Sequence, residues 1–285
     1  MDTSIGWHNL WKRYIALPQD HGSWVFLFSP LLIGLFLGES WNTASFVLVI
    51  AVVAAFLVRQ PLTIAVKVFS GRRSRRDLVP AAFWTIIYSV IGVSAALGLV
   101  LLGYGYLLVL AIPGLPVFIW HLYLVSQRAE RRQLGIELVA TGVLALSTPA
   151  GYWIGQGASN PMGWLLWLLV WFQSAASIVH AYMRLEQREW KAVPPLSERL
   201  FAINSITFRA LLYTTFNLIG VSILSILKIV PLFLFVPYLV QWIETVWGSV
   251  NPAVGKKPTA IGIRQLIVST IFTVLFIAAW RLSTM

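Results

Sequence analysis

The sequence predicts an all-α integral membrane protein, a bundle of about nine transmembrane helices with a cytoplasmic N-terminus. Three observations predict the bundle and its orientation. The residues are 58% hydrophobic and 11% charged, where soluble domains carry about a quarter charged residues. Apolar runs of roughly 20 residues, long enough to cross a bilayer core, recur along the chain. Lysine and arginine are concentrated in alternate connections between those runs, which is the asymmetry that sets membrane orientation. No polar linker or low-complexity stretch divides the 285 residues, so 1–285 read as one polytopic domain.

Residues 1–22 read as an interfacial segment rather than a signal peptide. Trp7, Trp11, Lys12 and Arg13 are anchors of the membrane–water boundary, and no apolar core or small-residue cleavage site accompanies them. The expected spans follow at Ser23–Leu37, Ala44–Val66, Val79–Leu102, Tyr106–Val125, Leu134–Ile154, Pro161–Tyr182, Ile206–Leu224, Val230–Val246 and Gly262–Trp280. Pro30, Pro61, Pro113, Pro116, Pro149 and Pro237 fall inside them, each a candidate kink whose freed carbonyl needs a neighbouring partner.

Arg72, Arg73, Arg75 and Arg76 follow the second span; Arg128, Arg131 and Arg132 the fourth; Arg188, Lys191 and Arg199 the sixth; Lys256, Lys257 and Arg264 the eighth. The intervening connections Gly38–Thr43, Gly103–Gly105 and Gly155–Asn160 hold no lysine or arginine, and Lys228 and Arg281 are the exceptions on that side. Positive residues face the cytoplasm, so the economical topology is N-in and C-out. An odd number of spans follows.

The net charge of +11 is accounted for by these loops beside anionic headgroups, so no nucleic-acid partner is expected. With no cysteine, disulfides and thiol chemistry are excluded. Phosphate-loop, dinucleotide and metalloprotease motifs are missing, and no His or Cys cluster has metal-ligand spacing. No cofactor and no metal are expected. The 14 tryptophans read as interface anchors and packing.

A charged side chain at mid-bilayer costs about 2.5–3.5 kcal/mol on insertion scales, so polar residues within the spans need an explanation. They share helix faces: Arg59, Thr63 and Lys67; His121, Val125 and Arg128; Gln173, Ser177, His180 and Arg184; Arg209, Tyr213 and Asn217; Tyr238, Gln241 and Glu244. Facing inward, these stripes would line a hydrated, basic, cytoplasm-facing cavity suited to an anionic group on a lipid tail. Arg59, Lys67, His180 and Arg184 would share it between the second and sixth spans, with Tyr123, Gln173 and Arg209 as further binding candidates. The alternative is snorkelling to the headgroups, which alone would explain Lys67, Arg128, Arg184 and Arg209.

Ahead of the first span stands Pro18-Gln19-Asp20-His21-Gly22-Ser23-Trp24. Asp20 and His21 read either as an acid–base pair, with His180 as a third catalytic candidate, or as helix-capping and packing residues. Glu130 and Glu137 are expected to pair with Arg128, Arg131 or Arg132, with Glu137 a candidate for the cavity wall.

The segments 18–24, Arg59-Gln60-Pro61-Leu62 with Lys67, His121-Leu122-Tyr123 onward to Arg132, Ser177 to Arg184, and Lys257-Pro258 to Ile261-Gly262 resemble the YwiC-like family of bacterial membrane proteins over nearly the whole chain. Asp20 stands where that resemblance implies Glu. In layout the chain also resembles the UbiA prenyltransferase superfamily, which implies functional clusters near the cytoplasmic ends of the second and sixth spans. There, however, this chain has Arg59, Thr63, Lys67, His180 and Arg184 in place of aspartates. The resemblance therefore carries over no magnesium ligand. Three classes stay open: a metal-independent enzyme acting on a prenyl or other lipid-tailed anionic substrate, a transporter or lipid-binding protein, and a membrane-complex assembly factor. Oligomeric state is not readable from the sequence.

Overall fold

A computed structural model describes residues 10–18, 21–129, 134–201 and 205–284; for 21, 201 and 284 only the backbone is described. The described residues form helices and turns without strands: α1 (Arg13–Ala16), α2 (His21–Leu37), α3 (Thr43–Phe69), α4 (Leu78–Leu99), α5 (Ala111–Ser126), α6 (Leu134–Ala145), α7 (Ser147–Gln156), α8 (Pro161–Gln187), α9 (Leu196–Phe201), α10 (Ile206–Ile226), α11 (Phe235–Val250) and α12 (Pro258–Thr284). Local chemistry sets several of these boundaries. Asn42 and Ser45 form a reciprocal capping box at α3. Asn160 caps α8 ahead of Pro161 in its first turn. Ser205 caps α10 through the Phe208 amide, and α7 stops at Gly157 in the left-handed conformation.

The fold is a multi-pass membrane bundle. Among the described residues six helical stretches are long and apolar enough to cross a bilayer, and Gly22–Leu37 is a shorter apolar helix. One of the six, Arg75–Ser126, has 52 residues; straight, it would measure about 78 Å, far beyond a hydrocarbon core of about 30 Å. It folds back instead. A π-helical turn at Val100–Tyr104 and a 3-10 segment at Gly105–Leu110 join α4 to α5, with Gly103 at φ +94°, a conformation open to glycine. Arg72, just before α4, then reaches the carbonyl of Val125 at the far end of α5 at 2.6 Å. Helices lie over every segment expected from hydropathy, although the eighth starts later, at Phe235 after a 3-10 turn.

The tightest contact joins α2 to α7. Gly34 on α2 and Gly38 just past its end meet Gly151 and Gly155 on α7. A Cβ at Gly34 would fall on the carbonyl oxygen of Thr148, and one at Gly155 on that of Gly38. Small residues four apart on both helices allow this backbone approach, the way helices associate where lipid removes the hydrophobic drive. Thr148 Oγ1 also donates to the carbonyl of Pro30 at 3.0 Å. Around this contact Leu31, Ile33, Leu35, Trp153, Ile154 and Leu166 form part of the core.

The connections sort into two groups that meet among themselves. Asn42 Nδ2 donates to Tyr104 at 3.0 Å, Ser40 Oγ to the carbonyl of Gly155 at 2.6 Å, and Tyr106 to that of Trp153 at 3.1 Å. These are the connections without lysine or arginine. The basic connections join one another: Arg188 Nε donates to Lys256 O at 3.3 Å, and Arg199 Nη1 to Ser249 O at 2.8 Å.

The N-terminal segment is docked rather than loosely interfacial. Ile15 is fully buried in a small cluster with Ile64 and Ala81. Gln60 Nε2 donates to Tyr14 O, Trp84 Nε1 to Leu10 O and Tyr88 to Ala16 O, each at 2.9–3.0 Å. Trp11 remains 68% exposed, in keeping with an anchor role; Trp7 lies outside the described residues.

Candidate functional site

The polar stripe on α8 is buried along its whole length. Gln173, Ser177, His180 and Arg184 are each at most 5% exposed. Their partners are α11 and α12. Gln173 Nε2 donates to Gln241 Oε1 at 3.2 Å, His180 Nδ1 lies 3.1 Å from Thr245 Oγ1, and Gln265 donates to Ser177 Oγ. Thr245 Oγ1 gives its own proton to Gln241 O at 2.9 Å. It therefore accepts from His180 Nδ1, which leaves Nε2 facing Glu244 at 3.9 Å. Glu244 in turn receives Arg264, Nη2 to Oε2 at 2.8 Å. Arg184 Nη1 is held by Gln187 Oε1 and by the carbonyls of Gly248 and Asn251 at 2.7–2.8 Å. The result is a packed polar seam running between three helices. Gln173 Oε1 and Gln241 Nε2 are buried within it without a partner among the described residues.

Arg59 lies elsewhere. It is half-buried on α3, with its guanidinium 5.4 Å from the centre of the Phe56 ring. Helix α3 packs chiefly on α4, with α5 and α7 beside it, whereas α8 packs on α2, α6, α7, α10, α11 and α12. The expectation that Arg59, Lys67, His180 and Arg184 line one cavity between the second and sixth spans is thereby corrected. The polar face of α8 is occupied by α11 and α12, and nothing from α3 is needed to satisfy it. Tyr123 is 60% exposed, and Arg209 is exposed while its stripe partner Asn217 turns inward to donate to Phe172 O at 2.8 Å. Lys67, Tyr123 and Arg209 line neither cavity described below. Asp20 lies outside the described residues, as does the side chain of His21. Glu137 takes a hydrogen bond from Tyr182 at 2.7 Å; Glu130, Arg131 and Arg132 lie outside the described residues.

Two of the cavities among the described residues bear on the site. The larger, about 960 Å³, lies between α2, α6, α8 and α12, with Glu137, Tyr182, Glu186, Arg188, Glu189 and Gln265 among its lining. Three carboxylates against one arginine make it acidic rather than basic, a second departure from the expected cavity. Most of its remaining wall is aliphatic or aromatic, from Val25 and Phe26 to Ile178 and Leu266.

The smaller cavity, about 510 Å³, lies between α3, α4, α5, α6 and α7. Leu48, Phe56, Leu99, Leu107, Phe118 and Leu144 represent its wall, and Arg59 and His121 are the basic side chains among its lining. Each sits in the half of its helix that leads to an arginine-bearing connection, His121 nearer the end than Arg59. Every lining residue falls between Leu27 and Ala150.

That interval coincides with a family match. Residues 17–152 match the family described as YwiC-like protein. The first half of the chain is YwiC-like. The protein YwiC of Bacillus subtilis (strain 168) is 25% identical over 156 residues, covering 53% of this chain and 59% of that protein. The matched region thus spans less than two thirds of the relative's length. No solved structure matches the chain. The YwiC-like half contains α2 through most of α7, and so the whole lining of the smaller cavity; the polar seam is carried mainly by α8, α11 and α12, beyond the family match.

Sequence reasoning missed Thr245, Arg264 as the partner of Glu244, and Gln265. Thr245 was within reach, one residue beyond the stripe already visible on α11. Arg264 reads as loop charge in the sequence, whereas it lies nearly two turns into α12.

Proposed function

We propose that this YwiC-like multi-pass membrane protein binds a lipid-tailed amphiphile with an anionic headgroup. The tail occupies the cavity between α3 and α7, and the headgroup meets Arg59 and His121. The carrying observation is that cavity itself: an apolar space of about 510 Å³ with two basic side chains in its lining, built wholly from the YwiC-like half. Its volume falls within the range of small-molecule sites, roughly 300–1,000 Å³. A guanidinium beside a phosphate or carboxylate gains charge-assisted hydrogen bonds that an uncharged headgroup cannot offer. A prenyl-type tail is one chemistry that such walls accept, in keeping with the layout shared with the UbiA prenyltransferase superfamily.

The reading is one of binding rather than catalysis. His180, the catalytic candidate whose side chain is described, lies in the packed seam and lines neither cavity, so no reaction step is drawn through it. We further propose nine crossings with the N-terminus in the cytoplasm. The separate meeting of the basic and the uncharged connections supports this topology, since alternate connections then lie on opposite faces.

Purification in mild detergent followed by mass spectrometry of the co-purified lipids tests the binding. A lipid-tailed anion should travel with the wild-type protein and be depleted in Arg59→Ala. A lipid profile matching the bulk membrane in both would contradict it.

A further inference from the structure

The basic connection between α11 and α12 does not hang free. Gly255 N donates to Arg188 O at 3.2 Å, Arg188 Nε returns a bond to Lys256 O at 3.3 Å, and Ala253 N donates to Gln187 Oε1 at 3.3 Å. This clasp brings three cations around one indole. Arg264 Cζ lies 3.7 Å from the centre of the Trp247 ring, Arg184 Cζ 5.4 Å and Lys256 Nζ 5.6 Å. Glu244, already bonded to Arg264, is the carboxylate of this cluster. Three cations against one carboxylate leave an excess of two positive charges. Arg184 is 3% exposed and pinned by the carbonyls of Gly248 and Asn251, so it cannot swing away to relieve the repulsion. Crowded, preorganised cations of this kind are stabilised by an anion, and a phosphate group matches them in charge and oxygen count.

We infer that Arg184, Lys256 and Arg264 around Trp247 form a phosphate-binding site at the basic end of the α8–α11–α12 seam, on the headgroup of a phospholipid or on a phosphorylated solute. The site shares no residue with the α3–α7 cavity, so it stands or falls apart from the function proposed above.

The test uses the full chain in nanodiscs and has two arms. In phosphatidylcholine discs, inorganic phosphate is titrated by calorimetry; saturable heat assigns the site to soluble phosphate compounds. In discs containing a tenth part phosphatidylglycerol, the lipid released with the protein is counted by native mass spectrometry; selective retention assigns the site to a lipid headgroup. Lys256→Gln, at an exposed position where folding is undisturbed, should weaken whichever signal is seen by roughly tenfold or more, the usual effect of losing a charge-assisted bond. Arg76→Gln, at an exposed position outside both sites, should leave that signal unchanged. Binding in neither arm, or binding indifferent to Lys256→Gln, overturns the inference.

Discussion

Arg264 on α12 donates to both carboxylate oxygens of Glu244 on α11, in a fork whose Nη2–Oε2 arm measures 2.8 Å. The pair joins two helices that carry the polar seam, with His180 Nε2 3.9 Å away on a third. Glu244→Gln should lower stability in detergent, because it leaves the Arg264 guanidinium facing a neutral amide. The cost is about 1 kcal/mol, because Arg264 is itself exposed and water takes over part of the lost bond. Glu244→Gln combined with Arg264→Gln should recover much of the loss. Thermal unfolding of the three variants checks this, and equal Tm values for the single variant and wild type would count against the seam.

The contact of α2 with α7 predicts a sharper effect. Gly34→Ala puts a methyl group on the carbonyl of Thr148, backbone that cannot step aside, and overpacking of this kind costs about 1–3 kcal/mol. Gly220→Ala, where nothing stands within 4 Å, should leave Tm unchanged. The two variants together separate steric clash from a general intolerance of alanine.

The helical class, the helix positions and the separation of basic from uncharged connections were legible because each is local: hydropathy within one run, charge within one loop. The stripe on α8 was legible for the same reason, since the spacing of Gln173, Ser177, His180 and Arg184 defines a face. Its neighbour was not. Periodicity says that a face is polar and leaves open which helix meets it, so Arg59 on α3 was paired with a stripe that α11 and α12 satisfy. The docking of the N-terminal segment escaped likewise, because Lys12 and Asp77 are 65 residues apart. Gly34, Gly38, Gly151 and Gly155 stood at helical spacing in plain view, but the spacing alone does not say that the two pairs touch.

Topology is open to direct measurement because the chain has no cysteine. Single cysteines at Ser40 and Ser74, both exposed, should report opposite faces. Ser40→Cys should react with an impermeant maleimide in intact cells, and Ser74→Cys only after the membrane is opened. Labelling of both from one side would refute the alternation.

Asp77 clasps the N-terminal segment, taking Lys12 at 3.1 Å and Tyr14 at 2.9 Å on one oxygen and Arg73 at 3.2 Å on the other. Burial pushes the Asp77 carboxyl up, but the bonds from Lys12 and Tyr14 outweigh it and hold it below its ordinary 3.8. The bond to Asp77 lifts Lys12 above its ordinary 10.5. A depressed carboxylate stabilises the fold above its unfolded value and loses that contribution as pH falls through the folded one; a raised ammonium does so below its unfolded value and loses it as pH climbs through the folded one. The clasp is therefore whole from about pH 4 to about pH 10. Asp77→Asn should lower Tm at pH 7, and its gap to wild type should close as pH falls below the carboxyl's folded value. A gap independent of pH would assign the effect to packing.

The central claim is that the YwiC-like half holds an anionic amphiphile in the cavity bounded by Arg59 and His121. Its most direct test fills the cavity and leaves the headgroup end untouched. Ala96 lines that space from α4, and Ala96→Phe would occupy it with a ring. Native mass spectrometry of the purified protein should show one retained lipid-tailed anion on the wild type, with occupancy lower by tenfold or more in Ala96→Phe and again in Arg59→Ala, the order expected for losing the tail site or a charge-assisted headgroup bond. Equal occupancy in all three proteins, each folded by thermal unfolding, would contradict the account.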